Sequence, residues 1–170
     1  MKRFFLSLVF LFVVMTAFSQ RFAYVDTKYV LNNIPAYKAA QEKLNQLSYE
    51  WQQELEAKKE KVEELSQEFQ NEKVLLTDKM KQKRQEEMQQ KRQELNELKN
   101  KYFGPEGELY KKRQELVKPI QEEVYSVIQK IADQGNYAVI FDASDKSNIL
   151  YTDPQYDKSD EVLKELGYKN

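Results

Sequence analysis

Large apolar residues return at steps of three, four and seven along the first long stretch of the chain: Tyr37, Leu44, Leu47, Trp51, Leu55, Val62, Leu65, Phe69 and Leu76. So narrow a stripe is the pattern of a coiled-coil seam, and the face of a globular helix is wider. Neither Gly nor Pro interrupts the chain between Pro35 and Gly104. Leu75-Leu76-Thr77-Asp78 breaks the pattern and offers Thr77 or Asp78 as a helix cap. A second stripe follows with Leu95, Leu98, Tyr102, Leu109, Leu116, Ile120, Val124, Val127 and Ile131. Leu95, Tyr102, Leu109 and Leu116 keep a seven-residue spacing across Gly104-Pro105-Glu106-Gly107. The register survives the breaker, so a kink or a brief interruption is expected there, with a second kink at Pro119. Gly135 ends the run, with Asn136 beyond it. The spacing predicts an outbound helix over 36–77 and an inbound one over 78–134. The first would be about 63 Å long, whereas a compact domain of about 150 residues has a radius of gyration near 15 Å. An antiparallel hairpin must therefore protrude from the rest of the chain.

The two ends of the chain read differently. Phe22-Ala23-Tyr24-Val25-Asp26 is a strand, and Asp26-Thr27 caps a short helix through Tyr29-Val30-Leu31 that stops before Pro35. Tyr137-Ala138-Val139-Ile140-Phe141 is apolar on both faces and predicts a buried strand. Asp142 to Asn148 is turn chemistry, Ile149-Leu150-Tyr151 a third strand, and Asp153-Pro154 its end. Ser159-Asp160-Glu161 opens a last helix closed by Gly167. The fold class is α+β and mostly helical: a small three-stranded body (20–35 with 135–170) carrying a helical arm (36–134). Three short strands seldom make an independent sheet. The body is therefore expected to oligomerise, with Phe22, Tyr24, Val25, Tyr137, Val139, Phe141, Ile149 and Tyr151 as interface candidates.

Residues 1–19 change the picture of where the chain works. Met1-Lys2-Arg3 is a positive start, Phe4 to Met15 is apolar apart from Ser7, and Ala17 and Ser19 stand where a signal peptidase needs small residues. A secretory signal peptide cleaved after Ser19 is expected, and hence a periplasmic location. With no cysteine in the chain, neither disulfides nor a lipid-anchored form is expected. Loss of Lys2 and Arg3 leaves 25 basic and 28 acidic residues, a net charge of −3.

Composition removes whole classes of chemistry. There is no Cys and no His, hence no thiol or imidazole nucleophile, base or zinc ligand. No glycine array suits a phosphate. Asp26 and Asp142 resemble a pair of carboxylates, but capping and turn bonding explain both. Neither an enzyme nor a cofactor is expected. The negative net charge and the export signal argue against nucleic acid as a partner, and none is expected. What remains distinctive is the end of the hairpin, where residues 73–92 carry seven basic and three acidic groups and 81–94 holds only Met88 as a large apolar residue. Leu75, Leu76, Lys79, Met80, Lys81, Lys83, Arg84 and Met88 therefore become candidates for loose contacts with a client polypeptide, Met because its thioether is flexible and polarisable.

The strand Phe22–Asp26 running into Tyr29 to Pro35, the strand Tyr137–Ala143, the hairpin to Ile149-Leu150-Tyr151 and the closing helix before Gly167 resemble the Skp/OmpH family of periplasmic chaperones. The resemblance covers the chain after the signal peptide. It implies a homotrimer joined through the bodies, with three arms around a cavity. It further implies a holdase, independent of ATP, that keeps unfolded outer-membrane β-barrel proteins from aggregating. The slightly acidic net charge departs from the family's basic members, so no lipopolysaccharide or membrane-surface site is expected on any residue. The alternative is a periplasmic structural scaffold or spacer, in which the hairpin is only a rod.

Overall fold

The structure, a computed structural model, describes residues 21–145 and 149–169. The expected signal peptide lies outside them, as do residues 146–148 of the turn-rich loop. Helix accounts for 73% of the structure, against about a third in ordinary globular proteins. The described residues fall into two compact units, one of those up to Asn33 with those from Val124 on, the other of Ile34–Glu123.

The unit formed by the chain ends holds β1 (Arg21–Val25), α1 (Thr27–Asn32) and β2 (Tyr137–Asp142), with a 3₁₀ turn (Pro154–Tyr156) and α6 (Ser159–Glu165). β1 and β2 are parallel, with Phe22 opposite Val139 and Val25 opposite Asp142. A parallel pair needs a crossover connection, and the whole of residues 26–136 is that connection. Alternation along β1 turns Ala23 and Val25 inward and leaves Phe22 and Tyr24 on the other face. Val30, Leu31, Val124, Ile131, Val162 and Leu163 are also buried.

Local capping fixes the corners as the sequence predicts. The Asp26 carboxylate accepts the Tyr29 N–H at 2.8 Å and starts α1. Gly167 closes α6 with φ +82°, in the left-handed region glycine tolerates. Beyond Gly135 the left-handed residue is Asn136, φ 50°, an asparagine being the usual substitute for glycine there.

Two expectations fail in this unit. Ile149–Tyr151 does not form a third strand: among the described residues the sheet has two strands, and Leu150 is 100% exposed. A run of apolar residues can extend as a strand but supplies no edge to pair with. On the side of β1 away from β2, Asp157 bridges Tyr24 and the Lys158 N–H reaches the Tyr24 carbonyl at 2.9 Å. Nor is β2 buried, since Val139 is 42% and Phe141 50% exposed. A strand apolar on both faces needs cover on both, and a single chain with two strands provides it on one.

The other unit is helical. α2 (Pro35–Glu72) starts with Pro at its first position, where a missing N–H costs nothing, and at 38 residues is about 57 Å long. It ends in a turn whose exit is Thr77, the cap of α3 (Asp78–Phe103), with its hydroxyl accepting the Met80 N–H at 3.4 Å. α2 and α3 run antiparallel. Glu72 lies beside Arg84 at 3.9 Å, and the Tyr102 hydroxyl donates to Glu54 at 2.7 Å. Ala40 and Leu44 pack with Val117, flanked by Tyr37, Leu109, Leu116 and Ile120.

The inbound run is three helices, with α4 (Glu108–Leu116) and α5 (Lys118–Gly135) following α3. The first break is a built turn: a Cβ on Gly104 would collide with the Asn100 carbonyl, and one on Gly107 would lie 2.8 Å from that of Tyr102. The second break, at Val117, precedes Pro119, which has no N–H to continue a helix and fits only a first turn. Before the first break Tyr102 stacks on Trp51 of α2, and after it Leu109 and Leu116 flank the core of Ala40 and Leu44, so the stripe keeps its face across the first break.

Candidate functional surfaces

The tip of the helical unit gathers the residues expected to make loose contacts. Leu75 is 85% exposed and Met80 50%; Val74, which the sequence reading left out, is 91% exposed. Leu76 and Met88 are half-buried, while Lys79 and Lys83 are exposed. Lys81 pairs with Asp78 at 3.5 Å and Arg84 with Glu87 at 3.4 Å. The turn holds its apolar side chains outward because it is too short to bury them, and places cations on the following helix around them. Such a surface suits weak, adaptable contact with a chain carrying apolar and acidic groups.

The second surface is the uncovered face of the two-stranded sheet. Phe22 and Phe141 meet there at 6.5 Å between ring centroids. With Tyr24, Tyr137, Ile149, Tyr151 and Tyr156 they line a groove of about 990 Å³. Arg21 lies over the Tyr137 ring at 4.9 Å and Lys158 at 5.7 Å. The contact with Glu161, a hydrogen bond at 2.7 Å, raises the Lys158 pKa above its ordinary value, so this cation stays charged. Of the interface candidates, Phe22, Val139, Phe141 and Tyr151 are exposed and Tyr24, Tyr137 and Ile149 half-buried. Val25 is only 1% exposed, inside its own unit.

Asp26 and Asp142 are occupied structurally. Asp142 accepts the Thr27 hydroxyl at 2.8 Å and the Ser144 N–H at 2.9 Å. Burial alone would raise its pKa, but the bonds from Ser144 and Thr27 outweigh it and the net shift is downward. Among the described residues no group of three or more carboxylates is gathered to hold a metal ion. Nor is any helix among them long and apolar enough to cross a membrane.

One feature of the helical unit escaped the sequence reading. Trp51 stacks on Tyr102 at 4.9 Å with a 4° interplanar angle, and Phe103 meets Trp51 edge-on at 6.3 Å. The hydrogen bond to Glu54 raises the Tyr102 pKa. Trp51 and Tyr102 each stand on an apolar stripe, but periodicity does not reveal that the two stripes meet at these rings.

The family whose description is "Outer membrane protein (OmpH-like)" matches residues 21–166. No curated protein matches the sequence. The fold is similar to the crystal structure of a candidate outer membrane chaperone (OmpH-like) from Caulobacter crescentus CB15, with a TM-score of 0.63 and 14% identity over 86% of this chain and 83% of that one. With the family pattern running through both chain ends and the whole of the helical unit, this chain belongs to the OmpH-like family of outer membrane proteins.

Proposed function

We propose that the protein is a periplasmic holdase chaperone, independent of ATP, that binds unfolded outer-membrane β-barrel polypeptides and keeps them from aggregating. The observation that carries this reading is the tip, where Val74, Leu75 and Met80 stay exposed among Lys79, Lys81, Lys83 and Arg84. A monomeric protein has no folding reason to keep such a cluster in water. Unfolded barrel strands alternate apolar and polar residues, and many weak contacts hold such a chain better than one shaped pocket. Family membership and the chaperone description of the similar Caulobacter structure support the same reading.

The uncovered sheet face supports self-association through the strands, since Phe22, Val139, Phe141, Leu150 and Tyr151 need a partner surface; the number of subunits, three, rests on the family resemblance. The test is dilution of a urea-unfolded outer-membrane barrel into the mature protein without nucleotide. Light scattering should fall to near zero at stoichiometric amounts of trimer, and unchanged scattering with a folded, oligomeric sample would overturn the proposal.

A further inference from the structure

The helical unit is packed unevenly along its length. On one side of Trp51 and Tyr102 lies the core of Ala40, Leu44 and Val117. On the other, from Glu54 to Lys101, Phe69 is the one buried residue. Half-buried residues of α3 recur at Lys81, Arg84, Met88, Lys91, Leu95 and Leu98 before Tyr102, in steps of three and four, with Glu87 and Glu94 half-buried beside them. This is a coiled-coil seam whose distal positions on α3 are mostly charged, and charge at a seam position weakens the pairing.

Apart from one ion pair, the polar bonds in this stretch stay within single helices. Lys59 pairs with Glu56, Lys61 with Glu64, and Lys91 with Glu94. Gln82 bonds Glu86 and Gln93 bonds Glu97. Each helix keeps these bonds whether or not the other is beside it. The cross-helix ion pair beyond Tyr102, Glu72 with Arg84, is long at 3.9 Å and exposed. Both helices can therefore part without melting. The stacked Trp51 and Tyr102 rings, tied to Glu54, stand where the weak seam meets the packed one.

We infer that the helical pair beyond Trp51 and Tyr102 opens and recloses as a unit, with the stacked rings as its stop, and that the opened seam is the surface that holds a client. Opening uncovers Val62, Leu65, Phe69, Leu95 and Leu98, a longer apolar stripe than the tip offers. The second half of the inference rests on the holdase reading above.

The chain has no cysteine, so introduced cysteines can be labelled selectively. Continuing the register of Glu54 with Tyr102 puts Glu64 level with Arg92, and Gln46 near Lys111; all four are exposed. Spin labels on Glu64→Cys with Arg92→Cys should give a broad distance distribution with a second, longer component. Labels on Gln46→Cys with Lys111→Cys should give one narrow component, and Tyr102→Ala should add a long component to that pair. A distal distribution as narrow as the proximal one would overturn the opening. Tying the distal cysteines with a short bis-maleimide should cut suppression of β-barrel aggregation several-fold while circular dichroism shows the helices intact; tying the proximal pair should leave it unchanged. Equal suppression by the distally tied and untied proteins would overturn the seam assignment. If the untied protein suppresses nothing, the holding function falls and the seam assignment with it, while the spin-label distances still decide the opening.

Discussion

The two units are held by bonds of opposite reach. In the body, Ser159 accepts the Asp26 N–H at 2.8 Å and donates to Asp157 at 2.6 Å, and Thr27 donates to Asp142. The bonds to Asp26 and from Thr27 join residues more than a hundred positions apart, over buried Val25, Val30, Val162 and Leu163. In the helical unit most ion pairs join residues three or four apart in water. Exposed pairs of that kind contribute little each, whereas a part-buried bond leaves stranded groups when its partner is removed. The body is therefore specified by its tertiary contacts, and the helices largely by themselves.

Substitutions should expose this asymmetry. Leu163→Ala, at a fully buried site, should remove about 2–5 kcal/mol from the urea unfolding of the body. If the loss were near zero, α6 would not be part of its core. Ser159→Ala should cost about 1–3 kcal/mol, because it leaves the Asp26 N–H without its acceptor and Asp157 with only the backbone N–H of residue 159 as donor; a silent result would mean that water replaces the hydroxyl. Asp142→Asn sharpens the contrast through pH. Its folded-state pKa is depressed, so its contribution is fully present above the unfolded value of about 3.9 and is lost as pH falls through the folded one. The melting difference between the protein and this variant should be constant near neutrality and shrink below about pH 4. In the helical unit, Tyr102→Ala should cost about 0.5–1.5 kcal/mol for the ring pair beyond its buried area, followed by Trp51 fluorescence. Lys61→Gln, which breaks a fully exposed pair, should leave the melting temperature unchanged.

The same asymmetry governs how much could be read from the residues. The helical stripes, the Thr77 and Asp26 caps and the Gly167 closure are local signals, and each appears where its spacing puts it. The strands at Phe22–Val25 and Tyr137–Phe141 are equally local. Ile149–Tyr151 shows the limit, because a strand needs an edge and a short apolar run does not say whether one is free. Exposure of Val139 and Phe141 was hidden for the same reason: two-sided hydrophobicity marks a need for cover without saying which chain supplies it. Of the surfaces, the cationic tip was legible as a run of lysines around Leu75 and Met80. The Trp51–Tyr102 stack was not, since it depends on the register between two helices.

The parallel pairing of β1 with β2 sets an order of events. Arg21 must wait for Tyr137, so no part of the sheet can form until the chain has been made through Tyr137. Local helical contacts assemble on microsecond scales, while such distant pairing must first overcome the entropy of closing a long loop, a term that rises only slowly with length. The helices should therefore be in place before the sheet closes, and the slow step of maturation belongs to the pairing of β1 with β2.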